Sequence, residues 1–424
     1  MKEDFLHYLW KFQKFPAHRL STVKGESLEI VSVGIHNSDA GPDFFNSHIK
    51  INQQFWAGNV EIHLKSSDWY IHNHEIDPTY DAVILHVVWN HDVDIYRADN
   101  TVLPTLELSH FVDKQMVLSY QQLFSKKNTW INCENHFGET PELLLQNWLE
   151  RLYFERLETK SLQVFRLLEK YKNDWEAVLF IILTKNFGLK VNGESFLSIA
   201  QSIDFSVIRK SRNQLLDLES LLLGQAGLLE NHIEDSYYDQ LQVQYRYLKN
   251  KFGLNNKYVT PVQFFRLRPD NFPTIRLVQL AALYHKHASL FQEILKRKSR
   301  KELTQLLQIN TSEYWDTHYH FKSNSIRRIK KISTTFVDLI LINTVAVLKF
   351  CYAQSQGKDN TDDIISLMQE IPLENNAVVK KFKELHPGFD TAFQSQALLQ
   401  LKTTYCDKNQ CLHCAVGNSL LQNK

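Results

Sequence analysis

Apolar and polar positions change their rhythm once along this chain. Residues 3–12 carry the spacing of a short amphipathic helix. From Ser27 to about Leu108, short runs rich in Val, Ile, Phe, Trp and Tyr alternate with turn-forming pairs such as Asp77-Pro78 and Asp99-Asn100. These runs predict strands over 28–33, 44–51, 59–65, 82–89, 93–96 and 103–108. Beyond about residue 110 the period becomes helical. Leu145, Trp148, Leu149 and Leu152 repeat at i, i+3, i+4, i+7, and Ile275, Val278 and Ala282 form a similar face. The expected fold is therefore α+β: a mixed β-sheet domain over 1–112, then a larger, mainly helical region over 113–424 that ends in a cysteine-rich turn.

The chain has 424 residues, with 48 basic and 47 acidic side chains. Near-neutrality removes any global attraction to nucleic acid or membrane, so such binding must come from local patches. Two basic runs supply candidates for nucleic acid, Lys296–Lys301 and Arg327–Lys331. The arginines of Arg266-Leu267-Arg268-Pro269 would bind an anion or clamp carboxylates. The most apolar stretch, Phe336–Tyr352, contains Asp338, Asn343 and Lys349 and reads as a buried core helix, not a membrane span. The N-terminus lacks the apolar core and cleavage site of a secretory signal. Together with five cysteines, three of them clustered near the end, this points to reduced thiols in a cytoplasmic protein.

The chemistry concentrates between His36 and Tyr96, where acidic residues outnumber basic ones nine to two and seven of the 18 histidines fall. Carboxylate oxygens and imidazole nitrogens are the ligands of Mg²⁺, Mn²⁺, Zn²⁺ and Fe²⁺ in different mixtures. In the strand VEIHLK, side chains alternate faces, so Glu61, His63 and Lys65 project together away from Val60, Ile62 and Leu64. Asp43, after Gly41-Pro42, starts another strand that a hairpin would bring beside Glu61. His72-x-His74 with Asp77 forms a second candidate metal site. His86, in the apolar run VILHVV, reads as a hydrogen-bonded core residue. At the C-terminus, Cys406-x4-Cys411-x2-Cys414 has spacing suited to zinc or an iron–sulfur cluster, with Cys133, His136 or His413 as a fourth ligand.

Pro42-Asp43 followed by Glu61-x-His63 resembles the signature of PD-(D/E)xK nucleases. The resemblance implies a restriction-endonuclease-like sheet in which Asp43 and Glu61 hold Mg²⁺ or Mn²⁺ and His63 or Lys65 assists the attacking water, with Glu3 or Glu26 as an upstream carboxylate. Histidine stands where that superfamily has lysine. Some nucleases of that superfamily also close a cluster with one remote cysteine and a C-terminal trio. The segments GIHNSDAGPDF, GNVEIHLKSSDW, HNHEIDPTYDAVILHVVW, LLLGQAGLL, FRLRPDNFP and CLHCAVG together resemble an uncharacterised bacterial domain-of-unknown-function family, family 2851, over nearly the whole chain. That family transfers no activity. Three functions follow as expectations: a metal-dependent nuclease or phosphodiesterase, a non-catalytic binding or scaffold protein, and another His/Asp metal-dependent hydrolase using His63, His72, His74 and Asp77.

Overall fold

The computed structural model describes residues 1–37, 39–125, 129–321 and 323–422. Its packing divides the chain into two units: Met1–Trp148 together with Leu401–Lys424, and Leu149–Gln400. The texture of the sequence changes near residue 112, but the first unit runs on to Trp148 and takes back the C-terminal cysteine segment.

The first unit is built on a mixed sheet. Its strands are β1 (Leu20–Ser21), β2 (Ser27–Ser32), β3 (Ile35–His36), β4 (Phe44–Ile51), β5 (Gln54–Lys65), β6 (Val83–Asn90) and β7 (Thr105–Glu107). They lie in the order β1-β2-β4-β5-β6-β7, with β3 pairing onto the start of β4. β4 runs antiparallel to both of its neighbours, β2 and β5, as short connections allow. β5, β6 and β7 are parallel. A parallel pair needs a crossover, and here residues 66–82 supply it, through helix α2 (Asp68–Ile71) and two 3-10 turns. The sheet therefore carries His72 and His74 on a crossover beside β5.

Expected and observed strands agree closely at 44–51 and within a few residues at β2, β5, β6 and β7. Residues 93–96 differ: they form no strand, and only Tyr96 bridges Val102. Ile95 is instead buried with Trp69, Val83 and Leu103 in a small core under the crossover. The apolar pattern at 93–96 reports burial in a loop, not pairing.

Helix α1 (Glu3–Lys11) packs on β5. It buries Phe5, Leu6, Leu9 and Trp10 completely, and the Trp10 indole N–H donates to the Val33 carbonyl at 3.1 Å. Large apolar side chains buried this way stabilise by roughly 1.5–3 kcal/mol each, so α1 is held firmly enough to present its other face as a fixed element.

The second unit is helical. Proline at the first position starts Pro273–Lys286, in which every residue from Pro273 to Tyr284 is buried. The stretch Thr334–Ser355 is one helix with a π-turn at Leu341–Val345. Its most apolar window is 67% buried inside the unit, which fits a core helix, although its length and composition would also suit a membrane. Gly224 meets the Tyr245 ring so closely that a Cβ would lie 2.2 Å from it, so the Gly-Gln-Ala-Gly segment is a packing device.

Candidate metal centre

Gly41, at φ +104°, turns the chain before Pro42 so that Asp43 enters β4 facing β5. Two reciprocal hydrogen bonds then lock Asp43 to Glu61. The Asp43 amide donates to Glu61 Oε2 at 3.1 Å, and the Ile62 amide donates to Asp43 Oδ2 at 2.9 Å. The two carboxylates that the sequence pattern singles out are therefore neighbours on one side of the sheet.

Glu61, 5% exposed, turns its other oxygen toward imidazoles. Glu61 Oε1 lies 3.4 Å from His63 Nε2 and 3.4 Å from His74 Nε2. His63 Nε2 is also 3.0 Å from His72 Nδ1. One ligand nitrogen from each of His63, His72 and His74 falls within 4.8 Å of the others. A tetrahedral ion with bonds of about 2.0–2.1 Å holds its ligand atoms about 3.3 Å apart. The observed separations bracket that spacing. The side chains of His63 and His74 are 2% and 9% exposed, and His72 is exposed.

The partners of these rings support the same geometry. His63 Nδ1 lies 2.9 Å from His86 Nε2, so a buried ring orients His63 and leaves its Nε2 facing Glu61 and His72. Tyr80 stacks on His74 with centroids 3.7 Å apart, and the edge of Trp69 closes a second side. His74 Nε2 is buried and, near as it is to Glu61, is not directed at any hydrogen-bond partner among the described residues. A buried ring nitrogen left so is an energetic cost that a bound ion would remove.

Electrostatics follow from burial. Burial lifts the Glu61 carboxyl to about 6, against the lowering influence of His74. Burial, with the neighbouring His72, His74 and His7, holds His63 down to about 3, and His86 is lowered well below the usual value for the same first reason. On the more open side, His7 Nε2 approaches Asp43 Oδ2 at 3.3 Å, each 21% exposed. Burial disfavours the His7 cation, but the hydrogen bond and charge of Asp43, with Asp4 and Glu3, raise its pKa overall. Glu3 stands one helical turn before His7, and its pKa is raised, chiefly by burial, with His72, Asp43 and His7 among the charges it feels.

The remaining sequence candidates fall outside this cluster. Lys65 is exposed at the end of β5, and its amide donates to Asp68. Asp77 is spent on the turn Pro78–Tyr80, where it accepts from both the amide and the hydroxyl of Thr79, so Glu61 takes the place expected for it. Glu26 pairs with Thr22. His7 and Tyr80 are the additions. The Glu3-x3-His7 spacing on one helix face was the available signal for the former; for Tyr80 nothing local distinguishes it.

The C-terminal trio meets Cys133. Cys133, Cys406, Cys411 and Cys414 line one void of about 10 Å³, although some 270 residues separate the first from the rest. Burial raises all four thiols, Cys133 to about 12 and Cys414 to about 11, and they feel one another's charge. Amides of Val416 and Gly417 point at Cys414, and Asn132 Nδ2 donates to Cys411 Sγ at 3.4 Å. N–H groups aimed at sulfur favour thiolate, the ligating form. His136 pairs instead with Glu139.

A family model described as "Protein of unknown function (DUF2851)" matches residues 3–377, and the chain belongs to that family. No curated protein and no solved structure matches the chain.

Proposed function

We propose that this chain is a metal-dependent hydrolase of phosphodiester bonds, with its ion held by His63, His72, His74 and Glu61. The observation that carries the reading is the grouping of one ligand nitrogen each from His63, His72 and His74 within 4.8 Å, with Glu61 Oε1 3.4 Å from His63 Nε2 and from His74 Nε2. Three imidazoles and one carboxylate suit Zn²⁺, Mn²⁺ or Fe²⁺ better than Mg²⁺, which prefers oxygen ligands and keeps its water. When bound, such an ion makes coordinated water acidic and offsets charge on the phosphodiester.

The chain's own groups supply the rest. Asp43, held by the Ile62 amide, orients His7 and favours its protonated form. In hydrolysis, water gives up one proton to solvent, its oxygen bonds to phosphorus and the ester P–O bond breaks. His7 gives its proton to the departing alkoxide. His86 keeps the His63 ring in place. Lys65, exposed beyond the cluster, has no part in this scheme.

The cysteine centre is a second, structural proposal: four thiolates holding zinc or an iron–sulfur cluster that fastens the C-terminal segment to Cys133. The tetrad brought together around one void favours it over three unrelated reduced thiols.

The test is cleavage of single- and double-stranded DNA and RNA by metal-stripped protein reloaded with Mn²⁺, Zn²⁺ or Mg²⁺. Wild type should cleave at least one of these with Mn²⁺ or Zn²⁺, and folded Asp43→Ala and Glu61→Gln should not. Absence of cleavage by a protein that still holds an ion at the histidines would leave a metal-binding scaffold in place of the enzyme.

A further inference from the structure

The helical unit contains a second site, unrelated in position along the chain to the histidine cluster. A cavity of about 340 Å³ is lined by Arg268, Arg276, Arg328, Lys330 and Lys331, with Asp270 as its one carboxylate. Five cations against one anion leave a local excess of four positive charges.

Arg276 is the decisive residue. It is 5% exposed, on the buried helix Pro273–Lys286, with its guanidinium 3.5 Å from the Phe336 ring centroid. Its hydrogen bonds go to neutral groups: Nη1 donates to Gln279 Oε1 at 2.8 Å and Nη2 to Asn271 Oδ1 at 2.5 Å. Nε–H is buried and has no partner among the described residues. A buried guanidinium neither paired with a carboxylate nor fully hydrogen-bonded is costly. The carboxylate of the lining does not pair with it: Asp270 turns to Arg328 at 3.5 Å and to the Tyr319 hydroxyl.

The other cations divide by role. Lys330 is buried and donates to the carbonyls of Trp315 and Asp316, so two of its three N–H donors are already taken. Arg268 and Lys331 are exposed, and their side chains have no hydrogen-bond or ion-pair partner among the described residues. The first basic run is used differently. Arg297, Lys298 and Arg300 pair with Glu293, Asp363 and Asp338. Of that run only exposed Lys301 is unpaired among the described residues, and it does not line this cavity.

We propose that this cavity binds a phosphate monoester, with Arg276 at its buried end and Arg268 and Lys331 at its mouth. Forked guanidinium donors and a net excess of positive charge suit a phosphate dianion. The volume falls at the low end for small-molecule sites, which fits a nucleoside monophosphate better than a bare phosphate ion. The same chemistry is presented by a free nucleotide and by the 5′ end of a phosphorylated strand. This site stands independently of the metal centre.

Calorimetric titration of the full chain at 0.15 M salt tests it, with inorganic phosphate, adenosine monophosphate, and one single-stranded DNA decamer bearing either a 5′-phosphate or a 5′-hydroxyl. Adenosine monophosphate should bind and raise Tm. A preference of at least tenfold for the 5′-phosphorylated decamer over its hydroxyl twin assigns the site to strand ends; no preference, with the mononucleotide bound, assigns it to free nucleotides. Arg276→Gln should abolish binding. Because that buried change can impair folding, the exposed double variant Arg268→Ala/Lys331→Ala should also weaken binding at least tenfold with Tm unchanged. No binding of the mononucleotide, or binding untouched by the exposed double variant, overturns the proposal.

Discussion

A single carboxylate organises the candidate centre. Glu61 spends one oxygen on the Asp43 amide and offers the other to two histidines, so it links the β4 turn to the crossover. His86 acts one shell further out, through His63. In His86→Ala, affinity for Zn²⁺ or Mn²⁺ should fall by about 10–100-fold, the usual cost of losing an orienting partner. Equilibrium metal titration measures it, and unchanged affinity would remove His86 from the site. Asp77 gives the opposite expectation. Asp77→Ala should lower stability slightly by loss of its cap, read by denaturant unfolding, with metal affinity kept; a loss of metal binding would restore it as a ligand. Residue types near Glu61 were legible in the sequence, because carboxylates and histidines crowd one segment against few basic residues. Which of them converge was not. Asp77 follows His74 by only three positions, yet the Asp-Pro turn turns it outward to Thr79.

At the scale of elements, alternation along β5 carried the most information. It put Glu61 and His63 on one face, and the structure keeps them there, 3.4 Å apart. The same alternation also put Lys65 on that face, but the cluster ends before the strand does. Helix α1 was visible as a helix, while its role was not, since nothing local says that His7 meets Asp43 across the sheet. Long-range meetings of this kind depend on packing, not on period. The cysteines illustrate both sides. Their spacing was plain, but the choice of Cys133 over His136 required the fold that returns Leu401–Lys424 to the first unit. Gly417 makes that return possible, because a Cβ there would lie 2.2 Å from the Cys411 carbonyl oxygen. Gly417→Ala should therefore destabilise the C-terminal segment, by roughly 1–3 kcal/mol as overpacked sites do. Limited proteolysis followed by mass spectrometry should show faster cleavage after residue 400; wild-type resistance would contradict the tight turn.

For the whole molecule, the two units pose separate energetic problems. The first concentrates ligands and accepts poorly satisfied rings. The second buries cations, and Lys160 is one of them. Its stem is half-buried, but its Nζ is enclosed and donates to Asn343 and Gln396, and burial brings its pKa down to about 7. An unfolded lysine titrates near 10.4. Between those values the unfolded chain holds more protons, so this group makes stability rise with pH from 7 toward 10; below 7 its full penalty is present. Denaturant unfolding at pH 7 and 9.5 should show wild type gaining more than Lys160→Met, by at most about 3 kcal/mol. Equal gains would mean that Lys160 is not held as a destabilised cation. The α+β division of the chain was readable from the change of period, since strand and helix patterns differ over many residues. The boundary at Trp148 was not, because Leu145–Leu152 is one continuous helical face.

The central claim is that three histidines and Glu61 hold an ion. Metal content per chain, by inductively coupled plasma mass spectrometry on protein stripped with chelator and reloaded with Zn²⁺ or Mn²⁺, tests it most directly. The comparison is wild type against His63→Ala and against Cys414→Ser. One equivalent should disappear in His63→Ala while the cysteine-bound metal stays, and Cys414→Ser should show the reverse. A folded His63→Ala protein that retains all the metal of wild type would contradict the account.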